Sequence, residues 1–151
     1  MKRALLVCML VALLVAGPAA AGLIVVGKSV RGVRLGMTQK QVRAVLGAPR
    51  TTVHKSNEFG PYTDFRYATL KITFQGNETA TAVSTTAAAD RTAGGVGVGS
   101  TRAAVRAKVA GLKCEGAVCS VGKFVAGARV TSFFFGTTGR VKTVQVGFVI
   151  D

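Results

Sequence analysis

Few residues in this sequence could do chemistry, and their spacing limits what they could do. His54 is the single histidine. As a general base it would need a serine or cysteine nucleophile and a carboxylate to orient it. Glu58 lies nearby in the chain, but no G-x-S-x-G motif accompanies it. A hydrolase using His54 therefore stands third among the readings. The six acids (Glu58, Asp64, Glu78, Asp90, Glu115 and Asp151) are scattered, with no pair spaced for glycoside hydrolysis. Gly95-Val96-Gly97-Val98-Gly99-Ser100 has the look of a phosphate-cradling loop. It lacks the G-K-[ST] ending and the acidic ribose partner, so it reads as a glycine-rich opening strand. No motif asks for a cofactor or a metal, and the expectation is a protein that is not an enzyme.

The cysteines depend on where the protein resides. Residues 1–21 read as a secretory signal peptide: Lys2 and Arg3, an apolar run from Ala4 to Val15, the break Gly17-Pro18, and Ala19-Ala20-Ala21 before the expected cut. Left uncleaved, residues 4–26 would be long enough to anchor in a bilayer. Cleavage removes Cys8 and leaves Cys114 and Cys119, with four residues between them. In an exported protein such a pair reads as a disulfide, since redox catalysis favours C-x-x-C and a metal needs more ligands. Closing so short a loop is worth roughly 2 kcal/mol in the chain-entropy account.

The charge has the same dependence. Of 151 residues, 20 are Lys or Arg and 6 are Asp or Glu, a net +14 that at first suggests nucleic acid. Losing Lys2 and Arg3 with the leader lowers this to +12. Residues 23–88 and 89–151 each carry 9 basic and 3 acidic residues, so no basic tail exists. The charge suits an anionic envelope better than a nucleic acid. With 49% hydrophobic and 17% charged residues, the chain is also too apolar for a disordered basic segment.

The elements that must position these residues show an internal offset. Val33 to Thr38 and Val96 to Thr101 open similar units 63 residues apart, and Val42, Leu46, Leu70, Ile72, Gly76 and Val83 align with Val105, Val109, Phe133, Phe135, Gly139 and Val146. In each unit a threonine caps a helix. Thr38 with Gln41 forms a capping box, and Thr101 keeps only the cap. Met37, Val42, Val45 and Leu46 make an apolar stripe with Lys40 and Arg43 outward, and Gly47-Ala48-Pro49 ends the helix. Arg102 and Arg106 share an outer face of the second helix. Ala68, Leu70, Ile72 and Phe74 alternate with polar residues as a half-buried strand, as do Val144, Val146, Phe148 and Ile150. The expected architecture is α+β: two tandem repeats, residues 22–90 and 91–151, each a short helical segment packed on a small antiparallel sheet.

The segment Gly32 to Pro49, GVRLGMTQKQVRAVLGAP, resembles the opening strand and helix of the SmpA/OmlA outer-membrane lipoprotein module and of the beta-lactamase inhibitory proteins. Gly36, Met37, Thr38, Val42, Leu46, Gly47 and Pro49 carry the pattern. The second unit keeps Gly99, Thr101 and Val105 without the Leu-Gly-x-Pro end. The resemblance implies a non-catalytic binding or scaffold protein of the cell envelope, with a sheet face available to a partner.

On that expectation the candidate partner-binding residues are Tyr62, Arg66, Tyr67 and Lys71 in the first unit, with Thr69 beside them, and Phe134 in the second. Phe134 lies opposite in pleat to Phe133 and Phe135. Residues 51–64, with His54, Lys55, Phe59 and Tyr62, are expected to form a mobile loop. Asn77-Glu78-Thr79 is a formal glycosylation sequon that reads as a hairpin turn. The partner is expected to be an envelope or extracellular protein. Electrostatic adhesion to an anionic envelope polymer or lipid surface is the alternative, and nucleic acid is not expected.

Overall fold

The computed structural model describes residues 23–150. The signal peptide and Cys8 lie outside them. The chain order is β1 (Ile24–Val25), β2 (Ser29–Val30), β3 (Val33–Arg34), α1 (Gln39–Leu46), β4 (Thr51–Asn57), β5 (Gly60–Arg66), β6 (Leu70–Gln75), β7 (Ala82–Thr85), α2 (Arg102–Lys108), β8 (Lys113–Glu115), β9 (Val118–Gly122), β10 (Arg129–Phe135) and β11 (Val141–Phe148). No helix among the described residues is long and apolar enough to cross a membrane.

The expected α+β fold of two tandem repeats, each a helix on its own small sheet, is not what forms. The protein is mostly β, with a three-stranded sheet β1-β2-β3 and one eight-stranded antiparallel sheet in the order β4-β5-β6-β7-β11-β10-β9-β8. The physical reason is at the centre. Two four-stranded sheets would expose four edges, whereas pairing β7 with β11 removes two of them. In that ladder Val83 faces Val146 and Ser84 faces Gln145. The strands of the two halves thus share one core.

Helix α1 follows its local signals. The Thr38 hydroxyl accepts from the Gln41 amide while the Gln41 side chain accepts from the Thr38 amide, and Gly47 ends the helix at φ +78. Thr101 caps α2 by accepting from the Ala104 amide. Only Val42 of α1 and Val105 of α2 are buried. The apolar stripe is narrower than expected: Val45 is 47% exposed. Arg43 does not point away, because its guanidinium covers the Phe65 ring at 4.3 Å. Arg102 similarly covers Phe135 at 4.7 Å and donates to the Gly116 carbonyl.

One face of the large sheet carries Phe65, Ile72, Phe74, Val83, Phe133, Val144 and Val146, all fully buried in one cluster with Val42, Val105, Val30 and Val33. Both helices and the small sheet therefore lie over that face. The small sheet is fastened there by Gly27, whose amide donates to Thr131 at 2.7 Å, and by an ion pair between Arg31 and buried Asp90 at 2.7 Å.

Residues 51–64, expected as a mobile loop, form most of the β4–β5 hairpin, paired without a bulge from Thr51↔Arg66 to Asn57↔Gly60. Nearly every residue of β4 is exposed, so it lacks the alternation that would have marked it as a strand. At the other edge of the sheet, Cys114 and Cys119 face each other across β8 and β9 and are joined by the disulfide the spacing predicted. Replacing both cysteines by serine should cost about 2 kcal/mol of unfolding free energy. Urea denaturation checks this, and an unchanged midpoint would show that the hairpin holds without its bond.

Candidate functional site

Among the described residues, neither helix nor the small sheet lies on the opposite face of the large sheet. Its floor is made of short polar side chains that bond across strands. Ser84 donates to Gln145 at 3.0 Å, the Ser120 and Ser132 hydroxyls lie 2.8 Å apart, and Thr73 donates to Asp64 at 2.6 Å. These bonds satisfy the polar groups without a protein layer above them. Pleat alternation places Lys71, Thr143 and Phe134 on this face, because their sequence neighbours Ile72, Val144 and Phe133 point into the core.

A groove of about 490 Å³ runs over β6, β7, β11 and β10 and is lined by Arg66, Tyr67, Lys71, Ser84, Phe134, Lys142, Thr143 and Gln145 among others. The fold thus brings together Arg66, Tyr67, Lys71 and Phe134 from the expected set. Tyr62 lies on the same face of β5 but pairs with Lys55 and Gln75 toward the hairpin tip, four residues from Arg66 and outside the groove lining.

Tyr67 and Thr69 are not strand residues as expected. They belong to the turn between β5 and β6, and the strand starts at Leu70. The Tyr67 hydroxyl donates to the Gly47 carbonyl at 3.0 Å, tying the groove wall to the end of α1. Burial pushes the Tyr67 phenol above its usual pKa, and the positive charge of Arg43 acts in the opposite direction. Thr69 accepts from Arg31 at 3.2 Å.

The groove is cationic. Lys71, Arg66 and Lys142 stand on its rim, and no carboxylate is among its lining residues. The nearest acid on the face, Asp64, lies 3.9 Å from Arg66 and accepts from Thr73. Among the described residues only this pair and Arg31–Asp90 form ion pairs. An apolar aromatic wall, hydroxyl and amide groups on the floor and cations on the rim can hold an acidic or polar surface that also offers an apolar side chain.

The same face carries one exposed aromatic residue outside the expected set. Phe124 is 63% exposed and lines a second depression with Lys113, Val118 and Ser120. Val118 pairs with Phe134, so the two depressions adjoin. The signal was available, since a Phe-Val pair set between Gly122 and Gly127 has no strand or helix period to bury it.

The other chemical candidates are accounted for by local bonding. The Thr63 hydroxyl donates its one proton to Asn77 Oδ1 at 2.7 Å, so its 3.0 Å contact with His54 Nδ1 requires the imidazole nitrogen to donate. His54 is held by a threonine, across the β4–β5 ladder. In the glycine-rich run, the amides of Gly95, Val96, Gly97, Gly99 and Ser100 all donate within the protein. A side chain at Gly97 would collide with the Asp90 carbonyl, so glycine there serves a close backbone approach in a run of turns. Asn77 is a turn residue at φ +63.

No protein-family model matches the chain, and no curated protein does. Among solved structures, the chain is similar to an extracellular protein containing an SCP domain from Bacillus anthracis, at 10% identity and a TM-score of 0.51. The likeness covers 76% of this chain and 44% of that one, and at this identity it speaks to the fold.

Proposed function

We propose that this is an exported, non-enzymatic protein of the cell envelope that binds a protein partner through the open face of its eight-stranded sheet. The observation that carries the reading is the groove, where half-buried Phe134 and Tyr67 meet the cations Arg66, Lys71 and Lys142 on a face that no other element of the described residues covers. Clusters of this kind, an aromatic anchor inside a polar rim, concentrate binding energy. Export is supported by the leader pattern of residues 1–21 and by the disulfide, a bond that persists in oxidising compartments. The resemblance of residues 32–49 to envelope binding and scaffold modules agrees with it.

A second reading, adhesion to an anionic envelope polymer or lipid surface, is favoured by the net +12 and by the carboxylate-free groove. Proximity labelling in the producing cell, followed by capture with purified protein at rising salt, separates the two. A protein partner centred on Phe134 should stay bound at high salt, and Phe134→Ala should weaken it about tenfold or more. Polymer adhesion should collapse with salt and ignore Phe134→Ala. Salt-resistant capture that Phe134→Ala leaves unchanged would remove the groove from the reading.

A further inference from the structure

A third depression, of about 330 Å³, lies away from the open face, where the small sheet, the start of α1 and the start of β10 come together. Its polar side chains are Lys28, Arg34, Gln41 and Arg129. Three cations from sequence positions up to about a hundred residues apart thus share one concavity, and none of the three has a carboxylate partner among the described residues. Gln41 completes the pattern. Its side-chain oxygen is already taken by the Thr38 amide at 2.8 Å as half of the capping box, which leaves only its NH₂ donors for a ligand. The Met37 sulfur is likewise engaged, accepting from the Arg34 amide. The first turn of α1 carries no acid. Every free polar side-chain group lining the depression is therefore a donor, and three of the four are charged.

We infer that this depression is a binding site for an oxyanion of the phosphate class, either a small soluble phosphate or a phosphate group borne by a lipid headgroup. A ligand that offers only acceptors and more than one negative charge answers the lining in both respects. The two guanidiniums suit tetrahedral oxyanions through paired N–H donors, and the ammonium adds a point charge. Like charges held together without a counter-charge repel, and a polyvalent anion relieves that repulsion more than chloride does. The site is independent of the groove on the open face and shares no residue with it.

The test uses inorganic phosphate, pyrophosphate and vesicles of phosphatidic acid, whose headgroup is a phosphomonoester, in phosphatidylcholine, with chloride at matched ionic strength as reference. Wild-type protein should bind pyrophosphate more tightly than phosphate in calorimetry, saturably and with a stoichiometry near one. The double variant Arg34→Gln/Arg129→Gln should lose at least tenfold in affinity. The charge-matched control Arg106→Gln/Lys123→Gln, altered at exposed residues outside the depression, should lose less than threefold. Melting curves of both variants verify folding. Vesicle sedimentation lost in the first double variant and kept in the control assigns the site to a lipid headgroup, whereas pyrophosphate binding without sedimentation assigns it to a soluble ligand. No saturable binding to any probe, or an equal loss in both variants, overturns the site.

Discussion

Asp90→Ala is expected to lower the unfolding free energy by about 3 kcal/mol, toward the low end of the range for breaking a buried ion pair. Arg31 occupies the two-residue turn between β2 and β3 with φ +49, followed by Gly32 at φ +79. That turn type needs left-handed backbone at both central positions, which a residue with a Cβ adopts at a cost of about 1 kcal/mol. The interactions of its guanidinium offset that cost. It donates to Asp90 at 2.7 Å and to Thr69 at 3.2 Å, while the Thr85 hydroxyl donates to the second oxygen of Asp90. Asp90 is fully buried, and the neighbouring Arg91 carbonyl accepts from Ile24 of β1. Removing the carboxylate strands Arg31 and Thr85 and loosens the small sheet over the core. The cost stays below the upper range because the Arg31 side chain keeps 33% of its surface in water. Asp90→Asn, which keeps one acceptor, should cost about 1–2 kcal/mol. Urea unfolding of the two variants gives the comparison, and a loss under about 1 kcal/mol for Asp90→Ala would show that the small sheet holds without this anchor.

Phe133→Ala and Phe134→Ala should behave as opposites although they are adjacent. Phe133 is fully buried, pairing with Cys119 on one side and Val144 on the other, under the helices. Truncating it leaves a cavity worth about 3–5 kcal/mol. Phe134 pairs with Val118 and Thr143 on the open face, where it lines the groove half-exposed, and its loss should cost under about 1 kcal/mol. Circular dichroism melts measure both. Similar losses at the two positions would mean that something covers the open face, and the groove would cease to be a surface.

Much of the local structure was legible in advance. The Thr38–Gln41 capping box, the Gly47-Ala48-Pro49 stop, the Cys114–Cys119 pair and the alternation in β6 and β11 are encoded within a few residues of one another. Where the local signal is short or absent, the structure differs from the expectation. Strands β1, β2 and β3 have two residues each, too few for a period of two to show. Strand β4 lies on an edge with nearly all of its residues exposed, so nothing in Thr51 to Asn57 needed to alternate. Val45 fits a helical stripe by spacing and still reaches solvent, because α1 presses on the sheet mainly through Val42.

His54 shows the difference at a single side chain. Its identity made catalysis worth weighing, and only the register of β4 on β5 set it opposite Thr63. The same holds for the open face. Sequence by itself determined that Lys71 and Phe134 point away from Ile72 and Phe133, since pleating reverses direction at every residue. It also determined that the positive charge is divided evenly between the two halves. Tertiary structure decided that those two outward faces form one surface, because the β7–β11 ladder joins residues 63 positions apart, such as Val83 and Val146. It decided too that Lys28, Arg34 and Arg129 converge. The physical reason is common to both: periodicity states which side of a strand is buried, whereas edge pairing and the packing of the small sheet depend on contacts between residues too distant in sequence to leave a local pattern.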